Sequence, residues 1–441
     1  MSDTNQCDIL IIGAGILGAA TAHHLKQKHP ELDILLTDRA SVAQGNTSKS
    51  VSMIRNTFTS PPSFALAASS MNEYKQFHKV APGGIDLNRM MYLWLFTEAQ
   101  CEKNRPAISI LKENGLDIEL LSAEKLQSIA PCMNTNPQDE ESMAYGIPPI
   151  AAGLLCRDGY SVDPVAITQH YVNMFKSNGG RTAYGTAVTD FLRKPVDTLM
   201  FDGEELPDQP FPSQPQMVSG VLLENGEKIE AGTTILAIGA WSRELTDKLG
   251  KGSLLSAKKR QWFYVESKSL EPLFNLPEFG NEDGTLPFTV FPNGIYAKPS
   301  REGGFYVALA DDIGRPFNLD TTPERDYFLN AIYPFLCGYL PAFENVTIKA
   351  MDAGSYCYDE VYRTPIVDWL HKGVMLVSGG SGSGIMKADA IGRVASSRYE
   401  SGEPGTGDNE IPLQLPNGIT INTNDLTIRG RGRIEPEQLV I

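Results

Sequence analysis

A glycine-punctuated joint near the start of the chain limits the fold more than any other feature. Gly13-Ala14-Gly15-Ile16-Leu17-Gly18 follows the short apolar run Cys7–Ile12 and leads into an apolar stretch, Ala19–Lys28, that reads as a helix. A second apolar run, Asp33–Thr37, ends at Asp38. Strand, tight turn, helix and strand within about thirty residues predict a βαβ unit that binds a dinucleotide. The first glycine permits the turn, the second lets the backbone approach a pyrophosphate, and the third lets the helix pack on its strand. The phosphates then lie on the helix N-terminus, where free amides favour an anion. Asp38 is placed to accept hydrogen bonds from ribose hydroxyls. This motif does not separate a flavin from a nicotinamide dinucleotide.

The 441 residues suffice for two domains. With 41% hydrophobic and 21% charged residues the composition is that of an ordinary globular chain. A formal net charge of −15 argues against a nucleic-acid partner, which needs a basic face. No apolar run approaches the roughly 18 residues of a membrane span. The polar N-terminus carries no secretory signal pattern. Six cysteines (Cys7, Cys101, Cys132, Cys156, Cys337, Cys357) show no CxxC pair, so neither a disulfide framework nor a metal site is expected, and a cytoplasmic setting follows. The six histidines (His23, His24, His29, His78, His170, His371) have no ligand spacing and are read as surface or helix residues.

Further along, helices are expected over Pro61–Phe77, Pro106–Gly115, Val162–Ser177, Pro323–Phe335 and Lys387–Tyr399. Strands are expected over Ala187–Leu192, Val218–Leu223, Thr234–Ile238 and Val374–Ser378, with a mostly strand-like pattern over Gln261–Met351. Lys194–Gln216 reads as a surface excursion, and Glu403–Ile441 as a polar tail.

Four later segments resemble the D-amino-acid oxidase superfamily of FAD-dependent oxidoreductases. Gly45-Asn46-Thr47-Ser48-Lys49-Ser50, followed by Ser52-Met53-Ile54-Arg55, is similar to its small-residue stretch around the flavin. Asp158-Gly159-Tyr160-Ser161-Val162-Asp163-Pro164 resembles its helix start. Thr234-Ile235-Leu236-Ala237-Ile238-Gly239-Ala240-Trp241-Ser242 resembles its second dinucleotide-contacting strand. Ser378-Gly379-Gly380-Ser381-Gly382-Ser383-Gly384-Ile385-Met386 resembles its C-terminal flavin loop. Arg260-Gln261 and Pro292-Asn293-Gly294-Ile295-Tyr296 point to the branch with sarcosine oxidase and dimethylglycine dehydrogenase.

The resemblance implies an α/β fold: a Rossmann-like FAD-binding domain (1–80, 150–250 and 352–402), and a substrate domain (81–149 and 251–351) on a mainly antiparallel sheet. Residues 403–441 form a C-terminal extension. It implies non-covalent FAD held by Gly13, Gly15, Ile16, Leu17, Gly18, Asp38, Arg39, Asn46, Thr47, Ser48, Ser52, Met53, Val188, Ala237, Gly239, Trp241, Gly380, Gly382, Ser383, Gly384, Ile385 and Met386. Trp241 reads equally well as a core side chain, and Val188 as an ordinary strand residue. Gly380, Gly382 and Gly384 suit backbone contact with the flavin, since a Cβ would hold the chain away.

The implied reaction is oxidation of the C–N bond of a small amino acid or secondary amine. Electrons would pass to oxygen or to an unidentified carrier. Arg55 matches the family arginine for a substrate carboxylate, which its planar fork bonds bidentately. Lys387 stands one residue past the family lysine, about 100° around a helix, and is read as a pocket group or a solvent lysine. Ser383 replaces a frequent histidine. Ser355 falls near the cysteine that bonds the flavin in sarcosine oxidase, which argues against a thioether. The lysine that assists oxygen should fall near Val307 or Ala308, and neither is basic. A 2-hydroxy acid dehydrogenase and a non-catalytic flavoprotein-like subunit stay open as alternatives.

Overall fold

The computed structural model describes residues 5–80, 85–251, 255–310, 319–359, 361–402, 410–430 and 437. Its first sheet is built on parallel strands in the order Arg181–Tyr184, Ile34–Asp38, Gln6–Ile12 and Lys228–Leu236. Ile9, Leu10 and Ile11 are fully buried, as expected of a parallel strand covered on both faces. Strand Lys228–Leu236 is forked. Its first half pairs antiparallel with Gln216–Leu223, and its last residues pair in parallel with Val374–Ser378. The sequence near the chain's start and the segment after residue 374 therefore meet in one sheet.

Helix Ile16–Lys28 leaves the first strand through the glycine turn. Gly13 has φ +108, and a Cβ there would stand 2.4 Å from the Ala237 carbonyl oxygen. A Cβ on Gly18 would stand 1.8 Å from the Gly13 oxygen, so only glycine lets this helix seat on its strand. Helix Gly384–Glu400 packs beside Ile16–Lys28, and helices Pro164–Ser177 and Pro61–Val80 complete that layer. Asp163 caps the third of these, accepting from the amides of Val165 and Ala166.

A second sheet of eight strands runs Thr347–Asp359, Leu255–Glu266, Phe305–Leu309, Ile295–Pro299, Phe288–Val290, Tyr92–Phe96, Ala152–Cys156 and Ile118–Ser122. All neighbours are antiparallel except Phe288–Val290 with Tyr92–Phe96. Phe263, Val265, Phe305 and Val307 turn to its own core, under the helical segment Arg325–Tyr339. Trp262 and Tyr296 alternate to the other face, toward the first domain-sized layer. A third, small sheet joins Met53–Arg55, Gly159–Val162 and Leu87–Arg89 and carries Arg55 between the larger sheets.

Several local expectations are corrected. The helix expected from Pro106 begins at Glu98, because Thr97 and Gln100 form a reciprocal capping box, and Pro106 is carried inside it. The helix expected over Pro323–Phe335 is a relay of Arg325–Tyr327, a π-helical turn Phe328–Ile332 and Tyr333–Tyr339. The excursion after Lys194 contains a small hairpin, Met200–Phe201 with Glu204–Glu205. In the region read as a polar tail, Pro412–Gln414 and Thr420–Asn422 pair as a hairpin, and Leu415, Ile421 and Leu426 join the main core. No helix of the described residues is long and apolar enough to cross a membrane.

Candidate active site

A long cavity of about 460 Å³ lies between the glycine turn and the second sheet. Gly13, Gly15, Ile16, Leu17, Asp38, Arg39, Asn46, Thr47, Val188, Ala237, Gly239, Trp241, Gly380, Gly382, Gly384 and Ile385 line it. A smaller cavity of about 50 Å³ continues from it, lined by Ser52, Met53, Arg55, Ser383, Met386 and Lys387. Val51, Tyr296, Tyr356 and Gly382 border both. Two expected cofactor residues line neither space. Gly18 is taken up in packing against Gly13, and Ser48 is exposed with its hydroxyl on the Gly45 carbonyl.

Each wall has a local cause. Gly15 stands at the N-cap of the first helix, where an added Cβ would meet only Thr47 Oγ1, at 3.2 Å. The Asp38 carboxylate accepts from the amides of Ala14 and Ala40 (both 2.8 Å), so it braces the glycine turn while facing the cavity. Asn46 brackets Ser355, accepting from its amide at 2.8 Å and donating to its carbonyl. The Arg39 guanidinium lies 4.3 Å over the Trp241 ring. Gly382 has φ +79, and a Cβ there would meet the Tyr356 ring at 2.4 Å.

These features fit a flavin dinucleotide. The N-cap Gly15 of the first helix and the loop Gly379–Gly384 both line the cavity, so backbone can approach a ligand at each. Ser355 lines it too, and its buried Oγ has no hydrogen-bond partner among the described residues. Cys357 also borders the cavity, with its Sγ 3.1 Å from Ser378 Oγ and its thiol pKa raised by burial.

Arg55 is 3% exposed. Its guanidinium donates to the Thr57 carbonyl and, at 2.9 Å, to Thr57 Oγ1. The rings of Phe58, Trp94 and Tyr92 surround it at 4.3, 5.3 and 5.8 Å. Tyr92 Oη and Trp94 Nε1 are buried without a partner among the described residues. Lys387 belongs to the pocket and not to solvent. The helix starts at Gly384, three residues earlier than expected, which puts Lys387 in the first turn, 1% exposed. Its Nζ is 3.2 Å from Ser63 Oγ and 4.1 Å from the centre of the Phe58 ring. Burial pushes its pKa down to about 7, with Glu437 opposing and Arg55 reinforcing the drop.

Sequence reasoning missed three polar groups here. Tyr92 lay in an apolar run with nothing to mark it. Lys298, opposite Tyr306 across neighbouring strands, donates to the Val51 carbonyl at 2.6 Å, and burial brings its pKa to about 8. Glu437, from the supposed polar tail, borders the smaller cavity. Val307 and Ala308 are buried and apolar. None of the six histidines lines either cavity. His23 and His24 are buried helix residues, and His24 Nε2 lies 2.7 Å from Asp389 Oδ1.

FAD-dependent oxidoreductase domain-containing protein 1 of Xenopus laevis is 24% identical over 415 residues, covering 89% of this chain and 78% of that one. Sarcosine oxidase subunit beta of an Arthrobacter species is 23% identical over 29% of this chain and 32% of its own. L-proline dehydrogenase from P. horikoshii shares the fold with a TM-score of 0.71, at 19% identity and with 94% and 96% of the two chains covered. Glycine oxidase from Geobacillus kaustophilus shares it at 0.68, with 16% identity and 92% and 97% covered. The profile of the family described as FAD dependent oxidoreductase (DAO) matches residues 8–398, and the chain belongs to that family, with FAD as its cofactor.

Proposed function

We propose that the protein oxidises the C–N bond of a small amino acid or secondary amine to an imine. The observation that carries this reading is Arg55, a buried guanidinium in a small aromatic-walled pocket that opens onto the flavin cavity. The fold neighbours named L-proline dehydrogenase and glycine oxidase lend it support. In this reading the FAD-binding part (1–80, 150–250, 352–402) is organised on the first sheet and the substrate part (81–149, 251–351) on the second, although Ala152–Cys156 and the end of Thr347–Asp359 cross over into the second sheet.

The Gly13–Gly18 turn, with the amides of Ile16 and Leu17, takes the pyrophosphate, and Asp38 takes the ribose. Gly380, Gly382 and Gly384 let the backbone approach the isoalloxazine ring. Bound FAD supplies the two-electron acceptor for the carbon beside nitrogen. Arg55 pairs with the substrate carboxylate through its planar fork. The amine must lose its proton before oxidation, and Lys387, held near 7, accepts that proton at Nζ. Phe58, Tyr92 and Tyr296 keep water from the reacting carbon. The electron acceptor in turnover is oxygen or a carrier: Val307 and Ala308 are apolar, while Lys298 on the paired strand sets a basic group against Val51. Six free cysteines support a reducing, cytoplasmic setting.

The test is anaerobic mixing of the purified yellow protein with a panel of amino acids, N-methyl amino acids, 2-hydroxy acids and glycerol phosphate. Bleaching of the flavin by a carboxylate-bearing amine is expected. Bleaching by a hydroxy acid or glycerol phosphate alone would sink the C–N assignment.

A further inference from the structure

The smaller cavity contains a carboxylate delivered from the far end of the chain. One oxygen of Glu437 accepts from the amide and hydroxyl of Thr59 at 2.8 and 2.6 Å. The other accepts from the amide and hydroxyl of Ser60, both at 3.1 Å. Each oxygen thus receives one backbone and one side-chain donor. Helix Pro61–Val80 begins at the next residue, and its first two positions are prolines without an N–H. The Thr59 and Ser60 amides therefore stand in for the missing donors at the positive end of the helix. Glu437 is 3% exposed. It acts electrostatically on both cations of the pocket, raising the proton affinity of Arg55 and of Lys387.

We propose that Glu437 sets substrate specificity by filling a second carboxylate seat, so that the pocket admits amines with one carboxylate and refuses those with two. The proposal rests on the amine-oxidation reading for the substrate class. It stands on charge and on space. Arg55 and Glu437 offset one another, so with Lys387 partly discharged the pocket holds no more than one net positive charge, too little for two carboxylates. With Glu437 in place the free space is about 50 Å³, room for a few water-sized groups at about 10–15 Å³ each. A second carboxylate would have to enter without donors and beside a fixed anion, and a misplaced like charge is a strong means of rejection. Without Glu437 the same walls offer four donors in bidentate array, a helix N-terminus and two cations.

The experiment titrates holoenzyme with acetate and with glutarate and reads the perturbation of the flavin spectrum. Neither ligand is oxidised, so the result does not depend on finding the amine. The proteins compared are wild type, Glu437→Ala, Glu437→Gln and the double variant Glu437→Ala/Thr59→Val, each checked for flavin content. The preference for glutarate over acetate, as a ratio of Kd values, should rise at least tenfold in Glu437→Ala. It should rise only in part in Glu437→Gln, whose amide still fills the seat but no longer carries the charge. Adding Thr59→Val should reverse most of the gain by removing one donor. If alanine at 437 lowers flavin content, Glu437→Ser opens the same seat and carries the test. An unchanged ratio in the opened variant overturns the proposal, as does an equal rise in Glu437→Gln. If amines still bleach the wild type while the ratio does not move, the seat is refuted and the amine-oxidation reading survives. If the ratio moves as expected while nothing but a hydroxy acid bleaches the wild type, the seat stands and the amine-oxidation reading fails.

Discussion

Replacing Lys387 with Met should make the protein more stable and less active, and by an amount that depends on pH. The ammonium is 1% exposed, and burial lowers its pKa from the ordinary 10.5 to about 7. At about 1.4 kcal/mol per pH unit this corresponds to a penalty of about 5 kcal/mol for holding the lysine in the fold at neutral pH. Loss of the 3.2 Å bond to Ser63 returns about 1 kcal/mol of that, leaving a net gain of about 4 kcal/mol. Between about pH 7 and 10.5 the unfolded chain holds a proton that the folded one does not, so wild-type stability rises with pH in that window. The advantage of the methionine variant is therefore largest at and below pH 7 and fades by about 1.4 kcal/mol for each unit above it. Urea unfolding of both holoproteins at pH 6.5 and 9.5, followed by tryptophan fluorescence, measures this directly. The gap should narrow by about 3 kcal/mol between the two. A gap that is constant with pH would refute the buried, easily discharged lysine. Wild type should show a flavin-reduction rate that rises as pH increases through 7, following discharge of Nζ, and the same variant should lose that rise.

Three other expectations bear on the site. Gly15→Val should yield folded protein without flavin, since only Thr47 Oγ1 stands near the new side chain but the pyrophosphate would share its space; full flavin content by absorbance contradicts the placement. Arg55→Ala should raise the substrate concentration for half-reduction by roughly 30-fold or more, in line with about 2–5 kcal/mol for losing one partner of a desolvated ion pair. Arg55→Lys should restore only part of this, and equal saturation in all three proteins would remove Arg55 as the anchor. Acid should release intact FAD, because Ser355 cannot form a thioether and the Cys357 Sγ rests against Ser378; flavin that stays with the denatured chain would show otherwise.

The nucleotide half was legible because its signals are local. A buried strand, a turn that tolerates only glycine and a helix start sit within a dozen residues, and the loop from Gly379 to Gly384 announces itself in the same way. The second sheet was legible as strands but not as an order, since Leu255–Glu266 pairs with Thr347–Asp359, some ninety residues on. Such pairing depends on which faces are apolar once the chain has folded. Lys387 was ambiguous for a geometric reason: three residues of helix start decide which way a side chain turns. Glu437 carried no signal at all. A lone glutamate in a polar stretch looks like solvent-facing charge, and only the Thr59–Ser60 donors, 377 residues away, give it a reason to be buried.

The forked strand Lys228–Leu236 has a consequence for how the protein is made. Its last turnward residues have no partner on one edge until Val374–Ser378 arrives, and helix Ile16–Lys28, flanked by Pro164–Ser177, lacks its second helix neighbour until Gly384–Glu400 follows. The closeness of that last contact is fixed by Gly392, where a Cβ would stand 2.7 Å from the Ala20 carbonyl oxygen. A nascent chain that has emerged only as far as the substrate sheet therefore exposes an unpaired strand edge and an uncovered apolar helix, a combination prone to aggregation. Residues out to about 400 must be synthesised before the flavin has two walls to bind between. Chains shortened before residue 400 should accordingly be recovered as colourless, insoluble material rather than as a smaller yellow protein.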